Sequence, residues 1–367
     1  MKSFLGCSAF LSLVAVAATS AADIKVACVG NSLTYGYGLS SPYYESYPTQ
    51  LDTLLGTGYE VSNFGVSSKT MIKAVGDAYW TQSAFANARA FLPGIVVIEL
   101  GTNDSKDYIW PYYKQNFKAD YASMIDTFRV LASKPQVWVS LQPRANNASW
   151  SMYDTTIANQ VNPAILEVAL QKAAPVIDLR TGMAGHGAWY QDDSVHPNAT
   201  GAKEMAKIVA GLLKQSVSIR TSQPVASNPA GVVLSCSPAG DGYQWYRNDT
   251  LLAGATASTL NVAKVGSYKV SVKVSATSQS RLVSSAFEVA TLVPTGLDGR
   301  KVPSARVFLD ASGKLQADVP TGMDGVSLLL WDMGGKRVAN ASLVPGVYRY
   351  RLAGRGFQAD GSLVVTR

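Results

Sequence analysis

The 367-residue chain carries 32 Lys and Arg against 25 Asp and Glu, a formal net charge of +7, with three cysteines and two histidines. The basic residues are scattered without a block, which excludes a nucleic-acid-binding stripe. Cysteines and histidines are too few and too dispersed for a metal centre or a disulfide scaffold, so neither metal nor other cofactor is expected.

Residues 1–22 read as a secretory signal peptide: Lys2, then an apolar run from Phe4 to Ala18, then small residues at Thr19–Ala22. The expected product starts near Asp23 and is secreted or displayed at the cell surface. Loss of Cys7 with this segment leaves Cys28 and Cys236, placed in different domains. Elsewhere no run reaches the roughly 20 apolar residues that a membrane span requires.

Over 23–215 short apolar runs alternate with helical patterns. Strands are predicted at 24–29, 60–64, 95–100, 137–141 and 175–179. Phe117, Tyr121, Met124, Ile125, Phe128 and Leu131 share one helical face, as do Ala202, Met205, Ala206, Val209 and Leu213. Such alternation predicts an α/β domain with a parallel sheet covered on both faces, and a site beyond the carboxyl ends of its strands. Ser32, Gly65 and Asn103 each follow directly on a predicted strand.

A serine becomes a nucleophile only with a base to take its proton and a third group to orient that base. The histidines are His186 and His196, and only His196 has a carboxylate, Asp193, three residues upstream. Asp192 reads as an exposed loop carboxylate and His186, between Gly185 and Gly187, as a solvated loop residue. Asp104 and Asp178 read as turn caps. The four segments Gly30-Asn-Ser-Leu33, Asn63-Phe-Gly-Val-Ser67, Gly101-Thr-Asn-Asp104 and Asp193-Ser-Val-His196 occur in this order, and at this point residues 24–214 resemble the SGNH (GDSL-type) hydrolases. The resemblance implies a three-layer α/β/α, flavodoxin-like fold and a serine esterase. It assigns Ser32 as nucleophile, His196 and Asp193 as its partners, and an oxyanion hole from the backbone N–H groups of Ser32 and Gly65 and the side-chain amide of Asn103. Asn31 departs from the family's naming motif, which has Asp there.

Aromatic residues crowd these segments: Tyr35, Tyr37, Tyr43, Tyr44, Tyr108, Trp110, Trp150 and Trp189. Flat apolar faces with polar edges suit sugar rings, and Tyr35, Trp110 and Trp189 are the expected substrate-binding residues. The stretch Gly101–Lys106 followed by Trp110 resembles the carbohydrate-deacetylating branch of the family, the acetylxylan esterases and sialate O-acetylesterases. The implied substrate is an acetylated polysaccharide or oligosaccharide such as acetylated xylan. Two other readings share parts of the pattern: a lysophospholipase or thioesterase, which needs a long apolar groove, and a non-catalytic carbohydrate-binding protein.

Residues 216–229 are polar, contain Pro224 and Pro229, and read as a linker that leaves the catalytic half separable. Over 230–293 strands are predicted at 232–235, 243–246, 259–262, 267–274 and 287–292, and Cys236, Trp245 and Tyr268 resemble the immunoglobulin-like pattern of cysteine, core tryptophan and corner tyrosine. Val270 stands where that pattern has its second cysteine. The segment 304–367 has strand candidates at 326–331 and 346–352. Through Trp331-Asp-Met-Gly-Gly-Lys336 and Leu343-Val-Pro-Gly-Val-Tyr348 it resembles C-terminal β-domains that engage cell-surface sorting machinery.

Overall fold

The computed structural model describes residues 22–221, 232–262 and 264–289, together with the strand segments 306–309, 315–318, 327–332, 337–338, 346–354 and 357–365. The signal peptide expected over 1–22 lies outside the described residues but for Ala22, as do 222–229 of the expected linker and 290–292 of the last predicted sandwich strand. The chain forms two compact units. One takes in the chain up to Val137 with Arg144–Ile157 and Gly185–Ala210; the other comprises Trp138–Pro143, Ala158–Ala184 and the chain from Gly211 onward.

In chain order the first half runs β1 (Ile24–Gly30), α1 (Ser32–Tyr35), α2 (Pro42–Glu45), α3 (Tyr47–Leu55), β2 (Tyr59–Gly65), α4 (Ser83–Ala90), β3 (Ile95–Glu99), α5 (Trp110–Arg129), β4 (Gln136–Leu141), α6 (Asp154–Thr156), α7 (Asn162–Gln171), β5 (Val176–Asp178), α8 (Leu179–Gly182) and α9 (Ala199–Leu213). In the first unit β1 lies between β2 and β3, parallel to both, with Cys28 opposite Asn63 on one side and Val97 on the other. Val26, Ala27, Cys28 and Val29 are fully buried, as a parallel strand covered on both faces must be, and this explains why β1 shows no polar alternation. Helices α3 and α4 pack against β2. Of the predicted face of α5, Phe117, Tyr121, Met124, Ile125 and Phe128 are fully buried, each contributing about 1.5–3 kcal/mol. Leu131 falls just past the helix end.

The second unit contains a mixed sheet. Strand β4 runs parallel to β5, with Val139 opposite Val176. The strands that follow are β6 (Ser218–Thr221), β7 (Val233–Ser237), β8 (Gly242–Arg247), β9 (Thr250–Leu251), β10 (Thr259–Asn261), β11 (Gly266–Lys273), β12 (Arg281–Val283) and β13 (Phe287–Val289). The sheet continues from β5 through β12, β11 and β8 to β9, with β13 also on β11, while β10, β7 and β6 form a separate antiparallel sheet. The most C-terminal strands are β14 (Arg306–Leu309), β15 (Leu315–Asp318), β16 (Ser327–Asp332), β17 (Arg337–Val338), β18 (Gly346–Gly354) and β19 (Phe357–Val365). Strands β14 and β15 pair as a hairpin, and β17, β16, β18 and β19 make a four-stranded sheet. Among the described residues no helix is long and apolar enough to cross a membrane.

Two expectations about the middle of the chain need correction. Ser218–Thr221 is strand rather than linker: it pairs antiparallel with β7, Ile219 opposite Cys236, so its order comes from a distant partner and not from its own polar pattern. The β-rich half also makes specific contacts with the α/β sheet. Arg281 on β12 pairs with Val176 on β5. Asp178 Oδ2 accepts from the Gln279 N–H at 2.7 Å and from Ser278 Oγ at 3.2 Å, and the Asp178 N–H donates to Ser280 Oγ at 3.0 Å. The Tyr246 hydroxyl donates to the Leu170 carbonyl at 2.6 Å. An open edge strand would leave its ladder groups unpaired, and here the segment 278–281 covers the edge of β5.

Within the middle β-region Trp245 is fully buried, its Nε1–H donating to the Ala257 carbonyl at 2.9 Å, and the Tyr268 hydroxyl reaches back to the Lys264 carbonyl at 2.5 Å. Cys236 is half-buried, its thiol directed to the Pro238 carbonyl at 3.5 Å, and neither it nor Cys28 forms a disulfide.

Candidate active site

The turn after β1 is set by two close approaches. A Cβ on Gly30 would collide with Thr34 Oγ1 and the Glu99 carbonyl, and one on Gly65 would collide with the Tyr35 amide. Only glycine lets these segments approach so closely. Asn31 caps α1, its Oδ1 accepting from the Leu33 N–H at 2.9 Å, a bond that Asp would make equally well. Its Nδ2 is buried without a partner, as is Glu99 Oε1. Ser32 is thereby the first residue of α1.

His196 Nε2 lies 2.8 Å from Ser32 Oγ, and His196 Nδ1 lies 2.7 Å from Asp193 Oδ2. The three-residue offset works because Asp193 Oδ1 accepts from the backbone N–H groups of both Val195 and His196 at 2.8 Å, curling the chain through Ser194 at φ 58°. Burial acts to raise the Asp193 pKa, but the hydrogen bonds from the His196 ring and from the two backbone N–H groups outweigh it and hold the carboxyl below its usual range. The His196 ring is buried between Tyr37, with centroids 4.7 Å apart, and Trp150, at 5.4 Å. Linked in this way, a hydroxyl, an imidazole and an ionised carboxylate can pass the hydroxyl proton to the ring while the carboxylate fixes its tautomer and steadies its positive charge.

These groups open into a cavity of about 380 Å³. Its lining includes Ser32 and His196, the polar residues Ser67, Ser68, Thr102, Asn103, Lys106, Ser149 and Ser151, and the aromatic residues Tyr37, Tyr108 and Trp150. Asn103 donates one amide hydrogen to the Lys69 carbonyl at 3.2 Å. Beside it, buried Asp104 accepts from the Met71 and Ile72 N–H groups, both at 2.9 Å, and so ties the loop after β2 to the loop after β3. Burial raises the Asp104 pKa to about 6 against the pull of those N–H groups.

Several expected roles change. Gly65 does not line the cavity, and its N–H is taken by Asn63 Oδ1 at 2.9 Å. Ser68 does line it, in the left-handed region at φ 67°. The N–H groups of Ser32 and Ser68 have no acceptor among the described residues. The structure thus leaves the N–H of Ser68, and not that of Gly65, without an acceptor on a residue that lines the cavity with Ser32 and Asn103. Trp110 is buried at the start of α5 against Phe117, with ring centroids 5.2 Å apart, and is a packing residue rather than a substrate platform. Trp189 stacks on His186 at 3.7 Å, and Tyr35 is exposed; neither lines the cavity. The aromatic lining comes instead from Tyr37, Tyr108 and Trp150. Asp178 is a cap as read, its Oδ1 accepting from the Thr181 N–H, but Asp104 is a long-range clasp.

Gln191 carried no sequence signal. Its side-chain amide donates to the Tyr37 carbonyl at 2.8 Å and the Pro197 carbonyl at 3.0 Å, and its N–H donates to the His196 carbonyl at 2.8 Å. It joins the loop bearing Tyr37 to the one bearing His196.

Residues 28–204 match the GDSL-like Lipase/Acylhydrolase family, and this segment is a hydrolase domain of the GDSL/SGNH class. The chain is 38% identical over 208 residues to an acetylxylan esterase of Xylanibacter ruminicola, a match covering 52% of this chain and 43% of that protein. The chain thus spans less than half the length of this relative. Among solved structures it is similar to Est24, a carbohydrate acetylesterase from Sinorhizobium meliloti, at 20% identity and a TM-score of 0.42 over 52% of this chain and 98% of that chain. It is also similar to the M. smegmatis aryl esterase, at 19% identity and a TM-score of 0.40 over 52% of this chain and 99% of that one.

Proposed function

We propose that the protein is a secreted serine esterase that removes O-acetyl groups from carbohydrate, with acetylated xylan as the leading substrate. The observation that carries this reading is the continuous chain from Ser32 Oγ through His196 to Asp193, at 2.8 and 2.7 Å, opening into the hydroxyl-rich, aromatic-flanked cavity. His196 takes the Ser32 proton as Oγ attacks the acetyl carbonyl, forming the C–O bond and placing a negative charge on the carbonyl oxygen. The N–H groups of Ser32 and Ser68 and the free amide hydrogen of Asn103 receive that charge; fixed donors need no reorganisation as it develops. Collapse breaks the bond to the sugar oxygen, which leaves with the proton from His196. Water, deprotonated by His196, then releases acetate and restores Ser32.

Acetylxylan is suggested by the name of the Xylanibacter relative. Export rests on the sequence of residues 1–22. For the β-regions we propose an immunoglobulin-like module, followed by a C-terminal segment that engages cell-surface sorting machinery.

The test combines a fluorophosphonate probe with a series of acyl esters. Ser32 is expected to be labelled and Ser32→Ala to abolish both labelling and turnover. Activity is expected to fall from acetyl to butyryl and vanish at octanoyl, since an acetyl-specific site would oppose each added methylene by about 1–3 kcal/mol. A preference for octanoyl esters would transfer the chain to the lipid-cleaving reading; turnover retained in Ser32→Ala would remove the esterase mechanism.

A further inference from the structure

We infer that Lys106 forms a subsite for a carboxylate on the substrate, so that the favoured substrate is an acetylated carbohydrate bearing a uronic or other acidic sugar next to the acetylated one. The inference rests on the carbohydrate-esterase reading above and narrows it.

Lys106 is the only charged residue in the cavity lining apart from what charge His196 carries. Its neighbours there are neutral: serines, a threonine, an asparagine, three aromatics, a methionine and a valine. The other lysines near the site are matched, Lys69 with Asp77 at 2.8 Å and Lys73 with Asp120 at 3.7 Å. Among the described residues no carboxylate lies within ion-pair distance of Lys106, whose ammonium sits only over the Tyr108 ring, 5.8 Å from its centroid. The adjacent Asp107 is exposed and outside the lining.

The backbone that carries Lys106 is anchored on both sides. Its carbonyl accepts from the Ile109 and Trp110 N–H groups at 2.9 and 2.8 Å, and the Asp107 N–H donates to the Ser151 carbonyl at 3.0 Å, joining this segment to the loop of Trp150. Lys106, half-buried as a residue and held on a fixed backbone, thus presents a cation to a cavity whose lining carries no negative side chain. A substrate carboxylate supplies the counter-charge with a charge-assisted hydrogen bond. The surrounding hydroxyls and the Tyr37 and Trp150 rings suit a sugar rather than a bare anion.

The experiment uses the full chain and two matched acetylated xylo-oligosaccharides, one with a uronic acid substituent beside the acetylated residue and one without, and reads released acetate. The wild type is expected to favour the acidic oligosaccharide about three- to fivefold in kcat/KM through a lower KM, the range of a partly solvated ion pair, and to lose the preference as salt rises. Lys106→Met is expected to abolish the preference and Lys106→Arg to keep it. Because each ratio is taken within one variant, a general loss of folded enzyme cancels. Equal kcat/KM for both oligosaccharides in the wild type, or a preference that survives Lys106→Met, would overturn the proposal alone. Release of acetate from neither, with 4-nitrophenyl acetate still hydrolysed, would remove the carbohydrate reading and this proposal with it.

Discussion

Replacing Asp178 by alanine tests whether the β-rich half is part of the α/β sheet or merely attached to it. Asp178 is 2% exposed at the end of β5. Its Oδ1 caps α8 through the Thr181 N–H, and its Oδ2 takes the Gln279 N–H and the Ser278 hydroxyl, a hundred residues downstream. Loss of the cap costs about 1 kcal/mol. Each of the two further bonds to a charged acceptor is worth about 1.5–3 kcal/mol, and partial access of water to the freed donors favours the low end. The expected loss is therefore about 3–5 kcal/mol, a large share of the stability of an ordinary domain. Urea unfolding followed by tryptophan fluorescence reads it, since Trp138 and Trp245 are both buried. In a double-mutant cycle, Asp178→Ala with Ser278→Ala is expected to show coupling of about 1 kcal/mol or more. A loss of only about 1 kcal/mol, the value of the cap alone, with additive behaviour in the cycle, would refute the edge contact.

By the same reasoning, a chain ending at Thr221 is expected to express as insoluble or markedly less stable protein, because it exposes the edge of β5 and the Leu170 carbonyl; a soluble fragment with full stability and activity would show that the edge does not need its cover. Asn103→Ala is expected to lower kcat about 10²- to 10³-fold with little change in KM, the usual result of removing one oxyanion donor; an effect confined to KM would place Asn103 in substrate positioning instead. Glu99, fully buried beneath the Ser32 turn, has its pKa pushed by burial from 4.5 to about 8. The folded state holds that proton more tightly than the unfolded state does, so the contribution of Glu99 to stability is fully present below about pH 4.5 and is lost as pH rises towards 8, at up to about 1.4 kcal/mol per pH unit. Glu99→Gln should remove this decline, so that its melting temperature gains on the wild type between pH 5 and 8; parallel pH profiles would contradict the buried-carboxyl account.

The hydrogen-bonded chain of Ser32, His196 and Asp193 was legible because the chemistry it would serve restricts residue types severely. With His186 and His196 the only histidines, and one carboxylate at the right offset, the partners of Ser32 followed from reactivity and local turn geometry before any fold was known. The covered β-strands were legible for a different reason: full burial leaves a continuous apolar run such as Val26–Val29. What escaped were features set by backbone conformation and by distant pairing. The resemblance at Asn63-Phe-Gly-Val-Ser67 directed the oxyanion expectation to Gly65, whereas Ser68, which lines the cavity, adopts a φ of 67° that serine rarely takes and that its sequence does not announce. Trp110 lay next to a motif and was given to the substrate, although its seven-residue spacing to Phe117 already placed both on one helical face. The edge of β5 is three residues long and finds its partner at Arg281. No local pattern announces such a pairing, because its stabilisation appears only once the long intervening chain has folded back. Each of these three differences lies a few residues away or across a domain boundary, while Ser32, His196 and Asp193 lie together as expected. The reaction class depends on a few side chains that chemistry constrains, whereas substrate choice and stability depend on loops and edges that only the folded backbone defines.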